Sequence, residues 1–319
     1  MATATTREWL RGAVVAVPTP FHDDFSLDLD SLRRNIEIMI ERGVRTGDGV
    51  LLVAGAGGEF PTLTHDERVA VMRTSVEAAA GRVPTVTSIQ HTDMREVVRL
   101  AGAAEDAGID GLQVGVPYYY PASPDDLFRV VERAGTGSSL PLMIYSTWWE
   151  GGLDIDGTLL RRLADLPHVE AVKWSAPTAD RFAEGLAAIA DRLVVIDNQG
   201  LHVWGHVLGA TGFVTHLSNF WPEYPLSIWR ALEARDYEAV PAILARFKWA
   251  WSSWAGRVAS ISGGEGPFIK AAMELAGFQV GPPRPPAVRP TPALMAELGE
   301  LFDRADLPRL GRPVAAVVA

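Results

Sequence analysis

Two rhythms of apolar and polar residues alternate along the chain. Short apolar runs of five or six residues, rich in valine, isoleucine and leucine, read "AVVAV" (13 to 17), "GVLLVA" (49 to 54), "VPTVTS" (83 to 88), "GLQVGV" (111 to 116), "LPLMIY" (140 to 145), "VEAVK" (169 to 173), "RLVVI" (192 to 196) and "GFVTH" (212 to 216). Between them, apolar residues recur at helical spacing, as in "LDSLRRNIEIMIERG" and "TDMREVVRLAGAAEDAG". Eight strands alternating with helices are the pattern of repeated βα units around a parallel sheet.

Local punctuation supports the helices. Thr64 ahead of "HDERVAVMRTSVEAAAGR", with Glu67 three residues on, makes a capping box, and Gly108 supplies a C-terminal stop after "AAEDAG". Units of roughly 25 to 35 residues without a dinucleotide fingerprint fit a closed (β/α)8 barrel, the TIM barrel, better than an open doubly wound sheet. Residues 1–11 read as a leader, 12–235 as the barrel and 236–319 as a C-terminal helical extension. No flexible linker precedes the extension, so it is expected to be an appendage of the barrel.

Composition narrows the function. A net charge of −10, with arginines scattered among acids, argues against nucleic acid or an anionic membrane as partner and leaves a small molecule as the expected substrate. The absence of cysteine excludes disulfides, thiolate metal sites and a cysteine nucleophile. No apolar stretch approaches the roughly 20 residues needed to span a bilayer, and the N-terminal region lacks a signal-peptide pattern. A cytoplasmic location is the expectation.

The chain has only three lysines, against twenty-six arginines, and Lys173 closes the apolar run "VEAVK". In a barrel the catalytic groups lie at the C-terminal ends of strands. An amine there, beside Val172 and Trp174, is desolvated, which disfavours its ammonium form and frees it to attack a carbonyl. The bland alternative is a lysine that snorkels to solvent. Tyr145 closes the preceding strand and could pass protons at the same mouth; alone, it could equally be a packed ring. "GAGGEF" (55 to 60), "PYYYP" (117 to 121) and "DNQG" (197 to 200) follow other strands at the same end, and this convergence favours chemistry.

With "GAGGE" followed by "TLTHDER", "PYYYP", "IY" and "VKWS" in this order, the chain resembles the dihydrodipicolinate synthase and N-acetylneuraminate lyase superfamily of class I, Schiff-base aldolases. The resemblance runs from "PTPFHDDFSLDLDSL" to "FIKAAMELAGFQVGPPRPP". It implies that Lys173 forms the imine with a 2-oxo acid, that Tyr145 shuttles protons, and that Tyr119 lies beside the relay or reaches a neighbouring subunit. It further implies that Gly57 and Gly58 hold the substrate carboxylate through backbone N–H groups, that Glu59 is structural, and that the turn containing Gly212 lies beside the substrate. A homotetramer or dimer, and no cofactor, are the accompanying expectations.

Departures from the family pattern shape the substrate. Ala56 and Gly57 stand where the synthases carry two hydroxyl residues, and Glu150 falls near the place of an arginine that grips a second carboxylate. Both argue against lysine biosynthesis. Trp148, Trp149 and Trp174 offer apolar surfaces suited to an aromatic or otherwise apolar aldehyde, with Asn198 and Gln199 as candidates for a polar tail. The alternatives are a dehydratase like the 5-dehydro-4-deoxyglucarate enzymes, whose loop also ends in "GEF", and a barrel that binds a 2-oxo acid without turnover.

Two other patterns weigh less. His202 and His206 in "HVWGH" have the spacing of a metal pair but no acid within the motif, so ordinary helix-face histidines, and no metal, are expected; His216 lies nearby in sequence. Phe247, Trp251 and Trp254 form a stripe at helical spacing that reads as packing, with Trp249 off that face.

Overall fold

A computed structural model describes residues 4–310 of the chain. Its eight strands are β1 (Gly12–Ala16), β2 (Gly49–Val53), β3 (Thr85–Ser88), β4 (Gly111–Gly115), β5 (Leu142–Tyr145), β6 (Val169–Trp174), β7 (Val194–Asp197) and β8 (Gly212–Thr215). They close into one barrel in sequence order, with helices between strands and further helices after β8. The expected (β/α)8 architecture is therefore present. Ala4–Trp9, within the expected leader, is helical.

By compactness the chain forms two units. The first takes in the chain up to Val14, Arg45–Leu52 and Ala79–Val214. Its core gathers Leu10, Val14, Val50, Leu52, Val86, Met143, Ala171, Val194 and Ile196, all fully or almost fully buried. Met143, Ala171 and Val194 are register partners on consecutive parallel strands, so their side chains fall on one face. Burial on both faces explains why these strands read as continuous apolar runs instead of alternating ones. The helix Met94–Asp106 is capped by Asp93, which accepts from the Arg95 N–H at 2.9 Å, and ends before Gly108 at φ +82°.

The second unit comprises Val15–Val44, Val53–Ala78 and the chain from Thr215 onward. Thr64 and Glu67 form the expected capping box: Thr64 N–H donates to the Glu67 carboxylate at 2.8 Å and Glu67 N–H to the Thr64 hydroxyl at 3.3 Å. The helix Lys248–Ile261 buries Trp251 and Trp254 against an aromatic cluster that includes Phe220, Phe247, Phe268 and Phe302, while Trp249 is exposed. The Trp stripe is therefore core, as its spacing implied.

Candidate active site

Strand pairing brings Tyr145 and Lys173 side by side. They are register partners at the ends of β5 and β6, each about 3% exposed, and the Lys173 amine lies 3.8 Å from the centre of the Tyr145 ring. Gly115 on β4 is the next partner of Tyr145, and Ile196 on β7 the next partner of Lys173. A Cβ on Gly115 would meet the Gln90 amide nitrogen at 2.6 Å, so glycine there admits the Gln90 carboxamide beside Tyr145. The Ser88 hydroxyl donates to Gln90 at 3.1 Å. Two residues back along β4, Gln113 is fully buried, and neither of its amide atoms has a partner among the described residues.

The segment after β5 is tied to the segment after β6. Ser146 and Ser175 each donate a hydroxyl proton to the other's carbonyl, both at 2.8 Å, and both residues are buried. Ser146 N–H adds a bond to the Lys173 carbonyl at 3.1 Å. Beyond Ser146, the Trp149 ring stands edge-on to Tyr145 at 6.3 Å and to Trp148 at 5.7 Å. The Glu150 side chain, on which the expected local negative charge rests, lies outside the described residues.

Trp174 corrects an expectation. It is the next residue after Lys173 and so faces the opposite side of β6. Its indole packs on the helix Ala179–Ile189, donates to the Phe182 carbonyl at 3.0 Å, and leaves no room for a Cβ on Gly185, which would meet the ring at 2.2 Å. The ring belongs to the layer between strand and helix and cannot line the same face as Lys173. Gly212 is a second correction. It opens β8, as a turn leading into that strand should, and a Cβ there would strike the Gly12 carbonyl oxygen at 2.4 Å. Close backbone approach, at the strand end opposite the catalytic rim, explains this glycine.

At the end of β7, Asp197 organises the turn. One carboxylate oxygen accepts from the Gln199 and Gly200 N–H groups at 2.7 and 3.0 Å, and the other lies 3.1 Å from His202 Nδ1. Gln199 spends its carbonyl oxygen on the Ala176 N–H at 3.0 Å, and Asn198 N–H donates to the Trp174 carbonyl at 2.8 Å. His202 is buried on Phe213, and His216 pairs with Glu265 at 3.2 Å. Among the described residues no cluster of three or more metal-ligating side chains occurs.

In the second unit, the turn after β2 is internally bonded. Gly58 N–H donates to the Gly55 carbonyl at 3.0 Å and Glu59 N–H to the Ala56 carbonyl at 3.0 Å, whereas Ala56 and Gly57 N–H take no part in these bonds. Gly58 therefore has its N–H engaged within the turn, contrary to the expectation that it holds a carboxylate. Thr19 donates to the Gly58 carbonyl at 2.8 Å, and Glu59, left-handed at φ 57°, forms a buried ion pair with Lys270 at 2.6 Å. Burial pushes the Lys270 amine down to about 8 against the opposing pull of Glu59. The pair anchors the turn, a role the "GAGGE" motif alone did not connect to Lys270. Tyr119, on the loop after β4, is 76% exposed and stacks edge-on with Tyr120 at 4.7 Å.

A profile of the dihydrodipicolinate synthetase family matches residues 9–301, nearly the whole described chain. The chain belongs to the dihydrodipicolinate synthetase family. It is 29% identical to a 4-hydroxy-tetrahydrodipicolinate synthase of Moorella thermoacetica, over 89% of this chain and 94% of that one. It is 33% identical to a probable 5-dehydro-4-deoxyglucarate dehydratase of Streptomyces avermitilis, over 94% and 90%. Among solved structures, dihydrodipicolinate synthase from Aquifex aeolicus superposes with a TM-score of 0.84 at 26% identity, over 94% of this chain and all of that one. A prophage protein of the family from E. coli K12, solved with pyruvate, gives 0.83 at 25% identity, over 93% and 99%. Dihydrodipicolinate synthetase family members are lyases and aldolases, and the protein is an enzyme of this Schiff-base class. Among the described residues no helix is long and apolar enough to cross a membrane.

Proposed function

We propose that the protein is a pyruvate-type aldolase in which Lys173 is the imine-forming residue and Tyr145 the proton shuttle. The observation that carries this reading is the buried Lys173 amine, 3.8 Å from the Tyr145 ring on the neighbouring strand end. The amine attacks the keto carbon, the carbonyl oxygen leaves as water, and the resulting iminium draws electrons from C3. Loss of a C3 proton gives an enamine, whose C3 then bonds to the carbonyl carbon of an aldehyde while a proton reaches the new alkoxide. Hydrolysis of the iminium releases the product and restores the amine. The phenol of Tyr145 is the residue assigned to these transfers.

The aldehyde partner is assigned an apolar, aromatic body, because Trp149 offers a partly exposed ring beside Tyr145. The N–H groups of Ala56 and Gly57, which take no part in the bonds of the turn after β2, are assigned to the 2-oxo acid carboxylate. Tyr119, exposed in a single chain, is assigned to contact with a second copy in a homo-oligomer. No cofactor enters this scheme. A second reading, dehydration of a sugar acid through the same imine, is favoured by the extent of the match to the Streptomyces dehydratase.

The test is exchange of the pyruvate methyl protons in D2O, followed by NMR. The wild type should exchange them, Lys173→Ala should not, and Tyr145→Phe should be slower by about 10²-fold or more. Absence of exchange in the wild type would overturn the pyruvate reading and leave the sugar acid.

A further inference from the structure

The turn after β2 runs from Ala54 to Glu59, and both residues that bracket it are left-handed without being glycine, at φ 46° and 57°. Such conformations persist only where the surroundings over-determine them. For Glu59 those surroundings include the helix Gly266–Leu275, which lies in the C-terminal extension. Lys270 of that helix pairs with one Glu59 carboxylate oxygen at 2.6 Å, and the Arg284 N–H donates to the other at 3.0 Å. Lys270 is 1% exposed and Glu59 7%, so each charge depends on protein partners and not on water.

The helix fits the turn closely. A Cβ on Gly266 would meet the Glu59 carboxyl carbon at 2.7 Å, so glycine at the start of the helix makes room for the carboxylate. A Cβ on Gly57 would lie 3.1 Å from both the Ile269 Cδ1 and the Ala16 Cβ, so the helix also bounds the middle of the turn. Lys270 further donates to the Pro282 carbonyl at 2.9 Å, and its amine lies over the Phe21 ring at 4.0 Å. Arg284 and Glu274 are the other charges that act on this amine. Removing one partner of a buried ion pair leaves the other charge uncompensated, which drives it out of place or neutralises it. Here that charge belongs to the residue that ends the turn, two residues from Gly57.

We infer that Lys270 and Glu59, with Gly266, are positioning residues for the 2-oxo acid: they hold the turn in the shape that presents the Ala56 and Gly57 N–H groups to the substrate carboxylate. The inference rests on the assignment of those N–H groups above and extends it to the C-terminal helix, which thereby sets the preference for a carboxylate beside the keto group. Backbone donors held in advance bind an anion without reorganising, so their alignment decides how well they hold it.

The test uses the full-length protein and two ketones, pyruvate and its methyl ester, which differ in the charged carboxylate. Each is trapped on the protein with borohydride, with Lys173→Ala as the background. The readout is the ratio of half-saturating concentrations, ester over pyruvate. That ratio should be about tenfold or more in the wild type, and Lys270→Met and Gly266→Ala should each bring it close to one. A general loss of fold would weaken both ketones alike and leave the ratio where it was. Lys248→Met, at a lysine that bonds Ser252 on its own helix, should not change it. Glu59→Gln combined with Lys270→Met removes both charges and should recover part of what Lys270→Met alone loses. Should Lys270→Met trap neither ketone, Gly266→Ala, which displaces Glu59 without removing a charge, decides. A wild-type ratio near one, or a high ratio that Gly266→Ala or a trapping-competent Lys270→Met leaves intact, overturns the inference and spares the Schiff-base reading. A wild type that traps neither ketone overturns the Schiff-base reading, and this inference falls with it.

Discussion

The end of β6 puts the two faces of one strand to different uses: Lys173 lies buried beside the Tyr145 ring on the neighbouring strand end, while Trp174, the next residue, packs on the helix behind the strand. Trp174 misled for the same physical reason that makes β-strands readable: adjacent residues face opposite sides, so the neighbour of a rim lysine belongs to the strand–helix layer. Gly185 makes that layer testable. Alanine in a helix is favoured over glycine by about 1 kcal/mol, but a Cβ 2.2 Å from a fully buried indole costs more, at about 1 to 3 kcal/mol or above. Gly185→Ala should therefore lower the unfolding midpoint, and an unchanged or raised midpoint would refute the packing. Gln113 offers the opposite sign. Its buried amide makes no bond among the described residues, so Gln113→Met should hold or raise stability, by up to about 1 kcal/mol in denaturant unfolding. A loss of that size would mean that the amide has a partner in the folded protein. Nothing in "GLQVGV" marks which side of the strand the glutamine faces, so the sequence left it unnoticed.

At the scale of elements, strands and capped helices were readable because periodicity and local hydrogen bonding determine them, whereas their long-range ties were not. Arg284 shows the difference. It sits in a proline-rich segment that reads only as a connection, yet its guanidinium donates twice to Glu67, at 2.5 and 2.9 Å, and to the Thr62 and Phe25 carbonyls. It lies over the Phe21 ring at 4.3 Å, and its backbone N–H donates to Glu59 at 3.0 Å. Partners more than 200 residues away in sequence leave no local trace. The Arg284 guanidinium, helped by Thr64, holds the Glu67 carboxyl down at about 2. Because that value is depressed, the contribution of Glu67 is complete above its ordinary value of 4.5 and is lost as pH falls toward 2. Unfolding measured from pH 6 to 2 should show Glu67→Gln less stable than wild type by about 2 kcal/mol at the upper end, the gap closing with acid. A gap independent of pH would contradict the pairing. Arg284→Lys should also destabilise by about 2 kcal/mol, since an ammonium cannot reproduce the two-pronged contact or the stacking.

At the scale of the molecule, the closed barrel followed from eight βα repeats, because parallel strands joined by helices bury both faces and an eight-stranded ring leaves no edge. The family accounts for the chemistry as a class, and the segment after β5, with its paired tryptophans and clasped serines, starts beside Tyr145. The proposed chemistry rests on an imine between Lys173 and a 2-oxo acid. Incubation with pyruvate and borohydride, followed by intact mass measurement, tests it most directly. The wild type should gain the mass of one reduced pyruvate and Lys173→Ala should gain none. An unmodified wild type, or a variant that is labelled as fully, would contradict the claim.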